Sequence, residues 1–399
     1  MQYIRLLFHF IEILLYSYFL LSTLYVFIFA VCALFYKPAK ISSNQPFRKI
    51  AVLIPGYKED KVIVDVARQS CQQNYPSSYY DIIVIADSFR PDTLENLALL
   101  PVKVVEVSFE VSTKTKALNT AMNQLSTEYD IAVILDADNI MEPDFLNKIN
   151  EAFGTGAKIL QAHRIAKNTN TPIAILDAVS EEMNNTIYRK GHRAAGLSSA
   201  LIGSGMAFDY TLFKERIAEI QAIGGFDKEL ELTLLRDGYT IEYLDDAIVA
   251  DEKVHKTEVF QNQRRRWLSA QFVYAGRFII PGVKLLVTKG KLDFFNKVVQ
   301  QLILPRLLLL GVSFLFTLLY FIGSLLTDLT DITALNYQCW LGSLLLLSIS
   351  FAIAIPRSYL NRRTFKALLS LPRLFITMFL LLFKLKGANK RFIHTEHGE

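Results

Sequence analysis

Two carboxylates, Asp136 and Asp138, stand on either side of Ala137, directly after the apolar run Ile131–Leu135. Two residues apart on an extended chain, they point to the same side. Paired hard oxygen ligands can hold Mg2+ or Mn2+, and such an ion can bind a diphosphate and neutralise a departing nucleoside diphosphate. Taken alone, the pair also fits a strand-end turn; its place after a buried strand favours metal. Asp87 follows Ile82–Ala86 in the same way. A carboxylate there can accept hydrogen bonds from a nucleobase or ribose, the alternative being a turn or capping aspartate. Lys114 opens a Lys-Thr-Lys-Ala-Leu-Asn stretch that starts a helix. A cation and a helix N-terminus both favour phosphate, although a solvated basic turn has the same composition.

Further along lies Gln263-Arg264-Arg265-Arg266-Trp267. On a helix, Gln263, Arg266 and Trp267 share one face, which offers an amide, a guanidinium for phosphate and an indole for stacking on a sugar. Arg264 and Arg265 fit a basic stripe at a membrane surface. Asp227-Lys228-Glu229-Leu230-Glu231 precedes another apolar run. An acid there can be a favourable helix-dipole contact or a general base for an acceptor hydroxyl.

These residues need elements to position them. Apolar runs at Ile50–Ile54, Ile82–Ala86, Val102–Val107 and Ile131–Leu135 alternate with helical patterns at Lys61–Cys71, Leu94–Leu99 and Lys116–Leu125. The alternation predicts an α/β fold with a mostly parallel sheet, whose ligands bind beyond the C-terminal strand ends. A dinucleotide fold would carry G-x-G-x-x-G after the first strand. Here that strand runs into Pro55-Gly56-Tyr57-Lys58-Glu59, which argues against a nicotinamide oxidoreductase.

The chain has 399 residues, of which 52% are hydrophobic, and the apolar residues gather at its two ends. Residues 10–36 form a first predicted span, roughly 40 Å long as a helix against the ~30 Å hydrocarbon core. Lys37, Lys40, Arg48 and Lys49 follow it and only Arg5 precedes it, so the N-terminus is expected outside and the central domain in the cytosol. Residues 302–326 and 337–355 are further spans, joined by an outward loop that carries Asp328 and Asp331. Residues 269–301 mix apolar and basic side chains and predict membrane-interface helices. Residues 366–386, basic on both flanks, predict an interfacial or re-entrant helix, and 387–399 a cytosolic tail. The net charge of +5, much of it beside the apolar segments, suits a bilayer surface better than nucleic acid. Cys32, Cys71 and Cys339 show no metal or redox spacing.

In order, the motifs resemble the processive membrane glycosyltransferases, the superfamily of cellulose, chitin, hyaluronan and poly-N-acetylglucosamine synthases. The likeness runs from Val52-Leu53-Ile54-Pro55 through Asp87, Lys114, Asp136-Ala137-Asp138 and Gly203-Ser204-Gly205-Met206 to Gln263–Trp267. It implies a GT-A, Rossmann-like domain over 48–268 with flanking transmembrane helices. It also implies an inverting, metal-dependent enzyme that uses a UDP-sugar to build a β-linked polysaccharide or oligosaccharide. By resemblance, Pro55, Tyr57, Glu59, Asp87, Lys114, Asp136, Gln263, Arg266 and Trp267 hold the donor, with Asp87 on the uridine and Lys114 near the diphosphate. Asp138 and Asp136 hold Mg2+ or Mn2+, Asp138 the more direct ligand. Gly203, Ser204, Gly205 and Trp267 line the acceptor side. The family's Thr-Glu-Asp is replaced by Asp227-Lys228-Glu229, which makes Glu229 the expected base and Asp227 the reserve. The alternatives are transfer of a single sugar to a membrane lipid or lipid-linked acceptor, and a non-catalytic scaffold or transport component. The resemblance places the chain in a bacterial inner membrane. Its three spans are a thin route for a growing polymer and leave room for a homo-oligomer.

Overall fold

The computed structural model describes residues 2–38, 45–254, 257–326 and 333–385. Lys40, Asp328, Asp331, Lys386 and the predicted tail 387–399 lie outside the described residues. The chain opens with helix α1 (Gln2–Ala33). There follow β1 (Ile50–Tyr57), α2 (Ile63–Ser70), β2 (Tyr80–Asp87), α3 (Pro91–Ala98), β3 (Lys103–Val107), α4 (Lys114–Gln124) and β4 (Ile131–Ile134). Next come β5 (Ile140–Met141), α5 (Phe145–Phe153), β6 (Ile159–Ala166), α6 (Pro172–Asn184), a π-helical turn at Asn185–Gly191 and α7 (His192–Ala194). β7 (Met206–Asp209), α8 (Tyr210–Glu219), α9 (Phe226–Asp237) and β8 (Glu242–Asp251) complete the central domain. The rest is helical: α10 (Thr257–Lys289), α11 (Leu292–Leu302), α12 (Arg306–Leu326), α13 (Tyr337–Ala354), α14 (Arg362–Leu368) and α15 (Leu371–Leu382).

The eight strands lie in the order β3-β2-β1-β4-β7-β6-β8-β5. β1, β2, β3 and β4 are mutually parallel, and β7 and β5 enter antiparallel to their neighbours. Side chains of period two send Ala51, Leu53, Ile83, Ile85, Ala132 and Ile134 to one face, where α4, α8 and α9 cover them. Ile50, Val52, Ile54, Ile82, Val84 and Val133 go to the other, under α2 and α5. All are buried to 1% exposure or less, which is why these strands read as unbroken Val/Ile runs. The parallel register sets Tyr57 beside Asp87, and Leu53 beside Ile134, so the candidate residues emerge at one edge.

Among the described residues, four helices are long and apolar enough to cross a membrane: 2–33, 258–289, 306–326 and 337–354. α14 and α15 form a pair bent by 48°, a broken span or re-entrant loop. Helix α10 runs across the domain boundary expected between 268 and 269. One helix, α10, carries both the Gln263–Trp267 motif and most of the stretch expected at the membrane interface. α1 begins at Gln2, earlier than the expected start at residue 10. Glu12, the one acid in α1's apolar run, accepts from Tyr320 Oη (2.7 Å) and from the backbone N–H groups of Ala334 (2.8 Å) and Leu335 (3.1 Å). A charge placed there is therefore fully hydrogen-bonded.

Candidate functional site: an acidic cleft at the sheet edge

Asp136 leaves the end of β4, and its backbone N–H donates to Asn139 Oδ1 and Ser204 Oγ, both at 3.2 Å. Asp138 Oδ2 accepts from the Glu252 N–H at 3.1 Å, and its Oδ1 accepts from Asn139 Nδ2 at 3.1 Å. β5 pairs antiparallel with β8, setting Ile140 opposite Ala250, and this brings Asp251 alongside the pair. One carboxylate oxygen each from Asp136, Asp138 and Asp251 lies within 4.8 Å of the others. Three converging hard oxygens suit Mg2+ or Mn2+. Asp251 was not anticipated, since its partner strand is far away in sequence.

Cations brace this triad. Lys253 Nζ donates to Asp251 Oδ2 at 2.7 Å and Asn139 Nδ2 to Oδ1 at 3.1 Å, with Arg164 3.8 Å away. Burial opposes ionisation of Asp251, but Arg164 and Lys253 prevail and hold it below the usual carboxylate range. Behind it, Glu181 bonds both Arg164 (3.0 Å) and Arg189 (3.1 Å). The result is a buried alternating network in which every acid faces a base.

Lys114 sits at the first position of α4, whose N-cap Thr113 accepts from the Lys116 N–H at 3.2 Å. Its ammonium bonds Asp136 and donates to Gly203 O at 2.7 Å, tying the metal side to the 203–205 loop. Gly203 and Gly205 have φ of +80° and +59°, conformations that favour glycine. Gln161 fixes that loop, accepting from the Ile202 N–H (3.1 Å) and donating to Ser204 O (3.0 Å). Ser204 Oγ bonds Asn139 Oδ1.

Asp87 is buried and accepts from Ser88 Oγ at 3.0 Å. Its carbonyl accepts from the Lys58 N–H at 3.1 Å. Lys58 (φ +56°) and Ser88 (φ +60°) are the only described non-glycine residues with positive φ, and both sit beside this aspartate. Local strain of this sort persists where surrounding structure fixes it, often at ligand sites. Pro55 and Glu59 are buried on the same strand end, and Tyr57 is half-buried.

Asp227 and Glu229 lie in the first turn of α9. A Cβ at Gly203 would come within 3.7 Å of the Asp227 side chain, so this carboxyl borders the loop that Lys114 grips. Loss of water around it raises the Asp227 pKa against the pull of Lys228 and Lys114. Glu229 is buried elsewhere: it bonds Arg277 of α10, with Tyr274 Oη at 3.5 Å.

Trp267 is 40% exposed, and the Arg264 guanidinium stacks 4.3 Å from its ring. Arg264 also bonds Asp177 of α6. This corrects its reading as a surface stripe: it is the prop that fixes the indole. Arg265 donates to Lys384 O at 2.6 Å, near the end of α15. Arg266 lies within electrostatic reach of Asp136. Gln263 is half-buried on the same helix.

Residues 46–270 match the family described as glycosyltransferase like family 2. The chain belongs to that family. Among curated relatives, the chain is similar to a beta-monoglucosyldiacylglycerol synthase of Synechocystis, 24% identical over 318 residues, covering 75% of this chain and 63% of that protein. A protein of the same name from Trichormus variabilis is 26% identical over 245 residues, covering 57% of this chain and 49% of its own length. The chain thus spans half to two thirds of these relatives. Among solved structures, a mannosyltransferase from Pyrobaculum calidifontis in complex with GDP-Man and Mn2+ shares the fold at a TM-score of 0.56 and 15% identity, covering 95% of this chain and 98% of that one.

Proposed function

We propose that this glycosyltransferase moves a single sugar from a nucleoside-diphosphate donor to a hydroxyl of a membrane lipid, at the cytosolic surface of a bilayer. The observation that carries the reading is the similarity, over three quarters of the chain, to synthases of glucosyl-diacylglycerol. The polysaccharide synthesis implied by the motif resemblance has less support. The geometry favours Asp227 over Glu229 as base, because Asp227 borders the Gly203 loop while Glu229 is held by Arg277.

In this mechanism Asp87 and Tyr57 receive the nucleoside, and Lys114, Gln263 and Arg266 face its diphosphate. Asp136, Asp138 and Asp251 would hold Mg2+ or Mn2+, which supplies charge neutralisation to the diphosphate when bound. Gly203–Gly205 and Trp267 line the acceptor side. The lipid hydroxyl oxygen attacks the anomeric carbon as the bond to the diphosphate oxygen breaks. The hydroxyl proton passes to Asp227, and the anomeric configuration inverts. A raised carboxyl pKa brings such a base nearer to working pH.

The test is reconstitution of the full chain in vesicles that contain diacylglycerol, with a panel of nucleotide sugars and Mn2+, and mass analysis of lipids. One added hexose on diacylglycerol is expected. A ladder of products would replace this reading with polymer synthesis.

A further inference from the structure

Three buried cations gather behind the acidic triad, and one acid is shared among them. Arg164 reaches both ways: its Nη1 lies 3.8 Å from Asp251 and 3.9 Å from Asp136, while its Nη2 donates to Glu181 Oε2 at 3.0 Å. Lys253 does the same, with Nζ 2.7 Å from Asp251 Oδ2 and 3.9 Å from Glu181 Oε2. Arg189 Nη1 donates to the other oxygen of Glu181 at 3.1 Å. Glu181, Arg164, Lys253 and Arg189 are each 7% exposed or less, so water screens these charges poorly.

Glu181 stands outside the converging set of Asp136, Asp138 and Asp251. Its position is fixed from the side of the long apolar helices. It lies on α6, where Arg306 of α12 donates to Ser180 O at 2.8 Å, and just past that helix Thr186 Oγ1 donates to Ala354 O of α13 at 3.0 Å. A divalent ion on the triad is repelled by Lys253 and Arg164, which already draw on the charge of Asp251. Glu181 offsets that repulsion, because it shares the same two cations.

We propose that Glu181 is a positioning residue of the metal site. By sharing Arg164 and Lys253 with Asp251, it sets how tightly the triad holds Mg2+ or Mn2+. Lys253 is the opposing element, a built-in competitor for Asp251. The inference rests on Asp136, Asp138 and Asp251 being the metal triad, and it is independent of which sugar or acceptor the cleft takes.

The full chain in detergent is titrated with Mn2+ alone, and free Mn2+ is followed by electron spin resonance. Glu181→Gln should bind Mn2+ roughly tenfold more weakly than wild type, as expected for loss of a supporting partner behind the ligands. Lys253→Met should bind it roughly tenfold more tightly, because a buried like charge beside the ion is gone. The double variant should return to within about threefold of wild type, since the two changes act on one charge balance. A purely structural role would weaken binding in both single variants and further in the double. Melting temperatures report folding. Lys253→Met tests the proposal even if Glu181→Gln does not fold, because Asp251 keeps Arg164 and Asn139, and Glu181 keeps Arg164 and Arg189. Weaker or unchanged binding in folded Lys253→Met overturns the proposal, as does unchanged binding in folded Glu181→Gln. Wild type that fails to bind Mn2+ at all overturns the metal triad itself, and this inference with it.

Discussion

Asp227 borders Gly203 while Glu229, two residues later on the same helix, bonds Arg277 of α10. Two residues of an α-helix turn the chain by about 200°, so the two carboxylates face nearly opposite ways. One helical turn thereby divides two tasks. Asp227 faces the cleft, and Glu229 fastens α9 to the helix that carries Gln263–Trp267.

Glu229→Gln is expected to affect stability more than chemistry. Glutamine keeps a hydrogen-bond acceptor, but Arg277 loses its ion pair. A loss of about 1–3 kcal/mol follows, read as a lower apparent melting temperature of the detergent-solubilised chain.

Asp251→Asn should weaken Mn2+ binding at least about tenfold, since it removes one of three converging carboxylates. Titration followed by the electron spin resonance of free Mn2+ measures this without turnover. Unchanged affinity would remove Asp251 from the metal site.

Arg264→Ala should cost about 3 kcal/mol, because Asp177, 8% exposed, is left without its partner. It also frees Trp267, so KM for the acceptor should rise more than kcat falls. Adding Asp177→Asn should restore most of the stability and leave the KM effect in place.

Stability should also depend on pH through His163. Its Nε2 lies 3.1 Å from Glu182 and its Nδ1 3.2 Å from Asp245, with the Tyr243 ring nearby. Burial opposes the charge, but the hydrogen bonds to Asp245 and Glu182 outweigh it and raise the pKa to about 9. A folded pKa above the unfolded value of about 6.5 means the contribution is complete below that pH and is lost as pH rises through about 9. The melting temperature should fall over that window in wild type, and less in His163→Gln.

The sequence revealed much of this and hid the rest for physical reasons. β1 to β4 are covered on both faces, so their Val/Ile runs were legible, and the candidate residues at their ends followed. β6 was not, because Gln161, His163 and Arg164 interrupt its apolar pattern, each with a partner from elsewhere in the fold. Asp251 joins the Asp136–Asp138 pair only through the β5–β8 pairing, which has no local signal. The Asp227–Glu229 choice turned on where α9 begins. Gly225, at φ +68°, starts the helix before both residues and so sends them to different faces. An extended segment there would have sent both to the same face.

The most direct measurement of the account is single-turnover transfer by Asp227→Asn and Glu229→Gln, side by side, with donor affinity measured on both. The account predicts that Asp227→Asn slows transfer by about 10²–10⁴-fold while binding the nucleotide sugar within a few-fold of wild type, and that Glu229→Gln stays active. Full activity in Asp227→Asn together with its loss in Glu229→Gln would contradict it.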